Sequence, residues 1–234
     1  MTGPQLSRTR SGPVPTNIIL INDLDDIGMT RSLESNDLIS LRTLAQWIKS
    51  FVAMPHKELG RDGAVCPFVP GGLERKTLWV APERVSNRST ADVVQLVNGY
   101  RKQLLEAQPT QGEGLRHKAI LVVFPDLSTE RAKTFFDEVL EQAAVASYAE
   151  DGVVLGPFYK SNGATAIYNH DLQPFTPPVP FLLMRLGVVG DWKFFLDDET
   201  WLGLWAHRYG ESGAVALAKE LRGLPWREAL SPRI

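Results

Sequence analysis

Cysteine is almost absent from this chain: Cys66 is the single one among 234 residues. A lone thiol forms no internal disulfide, which removes the disulfide-stapled secreted scaffolds and points to a reducing compartment. An excess of one charge is missing as well. With 25 Lys and Arg against 27 Asp and Glu, the formal net charge is −2 and the pI about 6.1, so no basic field draws in nucleic acid. No run approaches the roughly 18 consecutive apolar residues of a membrane span. The opening MTGPQLSRTRSGPVP has no apolar centre and so does not look like a secretory signal. The expectation is a cytoplasmic protein that partners neither nucleic acid nor membrane.

Familiar motifs are missing too. No GxGxxG follows a strand, and there is no P-loop and no GxSxG nucleophile elbow, which removes the usual evidence for dinucleotide, phosphoryl-transfer and serine-hydrolase chemistry. His117, His170 and His207 lie far apart, with no CxxC or HxxxH spacing, so a structural zinc site has no support.

What is present is an ordinary globular composition, 44% apolar and 22% charged, arranged as alternating helical and strand-like segments. Residues 1–16 read as a flexible tail and 17–234 as a single α+β domain. Residues 17–21 read as a short strand. From Ser35 to Met54, Leu38, Leu41, Leu44, Ala45, Ile48, Phe51 and Val52 recur at helical spacing, with Ser35, Asn36 and Asp37 as caps and Pro55 as the stop. Thr77–Val80 is strand-like. Ser89 or Thr90 opens a helix ending near Pro109. Ala119–Phe124 is a continuous apolar run, the pattern of a central strand buried on both faces. Ser128 or Thr129 starts a helix through Ala146. Val153–Phe158 and Phe181–Leu186 are further strands, and 198–222 carries two short helices. Between the last two strands, residues 159–178 form a long polar loop of the kind that is usually functional or mobile.

Cys66 sits in the loop MPHKELGRDGAVCPFVP, residues 54–70. Pro67, next in the chain, has a fixed φ and no N–H, which holds the turn and directs the sulfur outward. Three readings stand side by side: a small buried hydrophobe, a nucleophile with His56 as its base, and a thiolate ligand to haem iron, with Val65, Phe68 and Val69 against the macrocycle and Arg61 or Arg75 on a propionate. His56, at a helix end, either caps carbonyls or serves as proton donor, propionate partner or alternative axial ligand.

The stretch from Pro55 to Pro70 resembles the signature PHxxLGRxGxVCPFVP of a bacterial, largely actinobacterial family of unknown function. Leu155–Arg185 and Val123–Ala132 resemble the same family. That group is similar in turn to the haem-containing L-arginine N-hydroxylase of D-cycloserine biosynthesis. The resemblance implies haem b with Cys66 as the metal ligand, and His56 and Arg61 close to the haem. It also implies oxidation of a small nitrogen-containing substrate with O2 or peroxide, served by an electron-donor protein, in specialised metabolism.

Other residues have two readings. Asn169-His170-Asp171 is either an Asx-turn or the distal lining of a lid, with Tyr159 or Tyr168 stacking on a ligand. Arg185, inside an apolar strand, needs a partner if buried: a propionate, a substrate carboxylate or Asp171. Trp192, Phe194, Phe195, Trp201 and Trp205 are expected to pack core. Asp197, Asp198 and Glu199 suit a helix N-terminus.

Overall fold

Strong β-formers bounded by proline set the centre of the molecule. The computed structural model describes residues 17–222, so the expected N-terminal tail and residues 223–234 lie outside the described residues. Five strands, β1 (Ile19–Leu20), β2 (Leu78–Pro82), β3 (Ala119–Val123), β4 (Val153–Phe158) and β5 (Phe181–Leu186), form one mixed sheet in the order β1-β2-β3-β5-β4. Only β2 and β3 are parallel. Such a pair needs a crossover, supplied by helix α4 (Thr90–Glu106). β3 is central and buried along its whole length, as its apolar run predicts.

Helices cover both sheet faces, giving an α+β architecture. On one face α4 and α5 (Thr129–Asp151) pack Val93, Leu96, Val97, Tyr100, Phe136, Val139 and Ala143 against Ile120, Val122, Leu182, Met184, Val153 and Leu155. On the other, α2 (Ser35–Trp47) brings Leu41, Leu44, Ala45 and the adjoining Ile48 onto Leu78, Val80, Ala119 and Leu121. The short α3 (Val69–Arg75) adds Val69 and Leu73 to this second core. Two more helices complete the described chain: α1 (Ile27–Thr30) and α6 (Glu199–Arg222), the latter broken at Gly210, where φ is 47°. No helix among the described residues is long and apolar enough to cross a membrane.

Several boundaries differ from expectation for identifiable reasons. β1 has only two residues, because the chain turns into a 3-10 turn at Ile21–Asp23. α2 is not capped by Ser35, Asn36 or Asp37. Its N-cap is Glu34, and the Asp37 carboxylate is drawn instead to Arg84 at 2.8 Å. The helical stretch does run on toward Met54, but as a π-turn over Ile48–Val52, with the Ala53 amide reaching the Ile48 carbonyl. α4 begins in a reciprocal Ser89/Asp92 capping box, which satisfies two orphan amide ends. α5 continues past Ala146 to Asp151, burying Tyr148 completely. Of the C-terminal aromatic residues Trp205 is buried, but Phe194 is 55% exposed, so that part of the core expectation fails. The Asp198 carboxylate accepts from the Thr200 and Trp201 amides at the start of α6, the helix-terminus role read from sequence.

Candidate functional site

The loop holding Cys66 is pinned at both ends. Pro55 and Ala64 form an isolated bridge, the Val65 amide donates to the Met54 carbonyl, and the Cys66 amide donates to the Val52 carbonyl. Arg61 braces the interior, its Nη1 on the Asp62 carbonyl at 2.9 Å and its Nη2 on the Val65 carbonyl at 3.0 Å. Beyond Cys66 the chain enters α3, with Pro70 in its first turn, where a missing N–H is tolerated. His117 supports that turn. Its Nε2 faces the Arg116 Nε at 3.4 Å, so its Nδ1 carries the proton and donates to the Phe68 carbonyl at 3.0 Å. The Cys66 thiol is free and only partly buried, which sets aside its reading as a core hydrophobe.

Val52, whose carbonyl receives the Cys66 amide, and Val69 pack on the core of a sheet face that is incompletely covered at β4 and β5. In the β4–β5 register Arg185 faces Val154, Leu183 faces Gly156, and Phe181 faces Phe158. Alternation puts these six on one face. Apart from Phe181 they are part-exposed, whereas Val153, Leu155, Leu182 and Met184 on the opposite face are buried. Leu183 and Phe158 pack in the same cluster as Val52, Val69 and Leu73, which flank the Cys66 loop. Phe158 stacks on Phe181 at 4.5 Å and meets Phe175 of the long loop at 5.2 Å. At Gly156 an added Cβ would be in ordinary contact with Phe158 at 3.6 Å and Leu183 at 3.9 Å.

At one end of this face lies a buried charge pair. Arg185, 17% exposed, gives Nη1 to Asp191 Oδ2 at 2.9 Å and Nη2 to Asp191 Oδ1 at 2.7 Å, and Asp191 is 3% exposed. The same carboxylate accepts from the Val188 amide. Burial works against the guanidinium charge. The Asp191 bonds and charge, with a smaller contribution from nearby Cys66, override it and hold Arg185 protonated. Tyr148 completes the surroundings, its hydroxyl buried without a partner and pushed up to about 12 by burial and then by the Asp191 charge. An open cleft of about 320 Å³, bordered by Leu186, Gly187, Arg208 and Tyr209, adjoins this end, and another of about 350 Å³ lies at Arg84, Arg88 and Asp126.

The sequence-predicted residues divide between these surroundings. Cys66, Arg61 and Phe68 share the loop that leads into α3; Arg185 stands on β5, near Cys66, and its partner is Asp191 rather than Asp171. The His56 ring meets Phe51 edge-on at 5.6 Å, and its Nδ1 accepts from the Glu58 amide at 3.3 Å. That contact turns its lone pair away from a role as base. Asn169 forms the expected Asx-turn, its Oδ1 accepting from the Asp171 amide, while its Nδ2 reaches the Glu58 carbonyl. His170 is exposed beside Thr165 Oγ1 at 3.2 Å. Asp191, Gly156, Leu183 and Phe158 escape sequence reasoning, although a glycine inside a strand is a signal of close approach by another group. No group of three or more His, Cys, Asp or Glu suited to a metal ion occurs among the described residues.

The sequence model of a family described as a domain of unknown function (DUF6875) matches residues 41–220. No curated protein and no solved structure matches the chain.

Proposed function

The chain belongs to the DUF6875 family, and we propose that Cys66 is the thiolate ligand of a haem b, in a cytoplasmic enzyme that oxidises a small nitrogen-containing substrate such as an amino acid. One observation carries the reading: the sole thiol is part-exposed on a loop held at both ends, and Val52 and Val69 on either side of it pack on the same core as a half-covered sheet face. Leu183, Phe158 and Gly156 would offer a flat group an apolar floor, and Phe68 and Val69 a side wall. Haem held by thiolate supplies electron density that favours O–O cleavage with O2 or peroxide as oxidant. The protein's own part is to hold, orient and exclude water. Arg61 keeps the loop in shape through two backbone carbonyls. Arg185 places positive charge near the sulfur. His170, exposed on the long loop, would be the imidazole that moves a proton at a bound substrate. With O2 as oxidant, N-hydroxylation would need two electrons from an electron-donor protein; with peroxide it would need none.

The cofactor-free Cys/His reading is weaker, because the neutral His56 lone pair faces the Glu58 amide. A non-catalytic haem carrier is separated by turnover. Reconstitution with haem, then reduction under carbon monoxide, should give wild type the red-shifted Soret band of thiolate ligation, absent in Cys66→Ala. Aerobic incubation with reductant and candidate amines should then give oxidised product. A protein that stays colourless, or a Cys66→Ala spectrum identical to wild type, overturns the proposal. A coloured wild type without turnover leaves the carrier.

A further inference from the structure

Two segments far apart in sequence meet at the tip of the Cys66 loop, on three consecutive residues. The Glu58 carbonyl accepts from Asn169 Nδ2 at 2.6 Å, across a separation of 111 positions. Leu59, 4% exposed, forms a small buried cluster with Ala166 and Leu172. Gly60, with φ 77°, lies so close to the long loop that a Cβ there would stand 2.8 Å from the Tyr168 carbonyl oxygen.

Both partners are themselves anchored. On the long-loop side the Asn169 side chain is oriented by its own Oδ1, which accepts from the Asp171 amide at 3.0 Å. The Tyr168 hydroxyl accepts from Lys193 Nζ at 2.7 Å. On the cysteine side the path from Gly60 to Cys66 is short and braced by Arg61 and by the Val65 and Cys66 amides. Motion at Glu58–Gly60 therefore has little slack in which to dissipate before it reaches the sulfur.

We infer that Asn169 is a positioning residue: with Leu172 it clasps the tip of the Cys66 loop, and through that clasp the 159–178 segment fixes where the thiol stands. The functional meaning of the clasp rests on the reading of Cys66 as the working centre, but its test uses no haem, so the two fail separately.

Asn169→Asp is the sharpest variant. It keeps an oxygen for the Asp171 amide and replaces only the donor to Glu58, setting a carboxylate against a carbonyl. Leu172→Ala releases the same tip from its apolar side. Gly163→Ala is the control, since an added Cβ there meets nothing within 4 Å. Two readouts apply to the purified full chain: hydrogen exchange at the Val65 and Cys66 amides, and the rate of thiol labelling, which reports Cys66 alone because no other cysteine exists. Loss of one hydrogen bond with its acceptor left facing charge should speed both by about five- to tenfold in Asn169→Asp. Leu172→Ala should act in the same direction, and Gly163→Ala should match wild type. Wild-type exchange at 65 and 66 with changes confined to 163–172 would overturn the clasp, as would an equal acceleration in Gly163→Ala.

Discussion

Removing Asp191 tests the electrostatic frame of the site most directly. The Arg185–Asp191 pair is bidentate at 2.7 and 2.9 Å, with only 17% and 3% of the two side chains exposed. In Asp191→Ala the guanidinium stays behind in a place that burial makes unfavourable for charge. Stranding one partner of a buried pair costs about 3–5 kcal/mol, and Arg185's residual exposure argues for the lower end, about 3. The Val188 amide also loses its acceptor, adding about 1 kcal/mol. For a chain of this length each kcal/mol lowers Tm by about 2–4 °C, so thermal melts monitored by circular dichroism should fall by about 8–16 °C. Removing both charges is a different perturbation. Arg185→Met with Asp191→Leu leaves no orphan ion and should recover to within about 1–2 kcal/mol of wild type, because a buried pair returns little net stability over apolar replacements. A fall of less than about 3 °C in Asp191→Ala, or a double variant as unstable as the single one, would show that no stranded charge is at stake.

Two further outcomes concern titrating groups. Burial works to raise the Asp126 carboxyl, but the Ser86 hydroxyl and the Ser86 and Val85 amides outweigh it and hold it below the ordinary carboxylate value. Its contribution is therefore present above about pH 3.9 and is lost as pH falls through the lower folded-state value; in acid titrations of stability, Asp126→Asn should be less stable than wild type at pH 7, and the difference should shrink below about pH 4. Lys118 is 1% exposed, meets the Ala107 and Pro109 carbonyls, and is lowered by burial. Between its folded value and about 10.4 the unfolded chain binds more protons, so this group makes stability rise with pH over that window. Lys118→Met should remove that rise in urea melts taken between about pH 7 and 10.

The elements most visible in sequence are those that declare themselves locally. Ala119–Val123 is apolar at every position and runs up to Phe124-Pro125, so it reads as a strand buried on both sides without help from any other segment. Ser89-x-x-Asp92 likewise announces the start of α4 through its own side chains. The π-turn at Ile48–Val52 has no such mark, since its apolar spacing also suits a regular helix. α3 hides behind Pro70, Gly71 and Gly72, which read as a turn; Gly71 is required because a Cβ there would stand 2.6 Å from the His117 ring. The site is legible where one residue suffices and illegible where two must meet. Cys66 and its Cys-Pro turn stand out, and so does the need of Arg185 for a partner. Which acid answers that need depends on how Val188–Asp191 folds back after β5. A side-chain amide on a backbone carbonyl 111 positions away, as in Asn169 on Glu58, leaves no pattern in a single sequence.

The wide turn that closes the helix before the cysteine loop has a consequence for how this stretch tolerates change. It inserts an offset of one residue between the helix and the loop beyond it, and the carbonyls of Val52 and Met54, which receive the Cys66 and Val65 amides, depend on that offset. Restoring a regular spiral by deleting one residue would rotate everything downstream by about 100°. Both acceptors would swing away from the amides that need them. Outward-facing positions of the helix are free to drift in identity, but its residue count is locked to the placement of the sulfur.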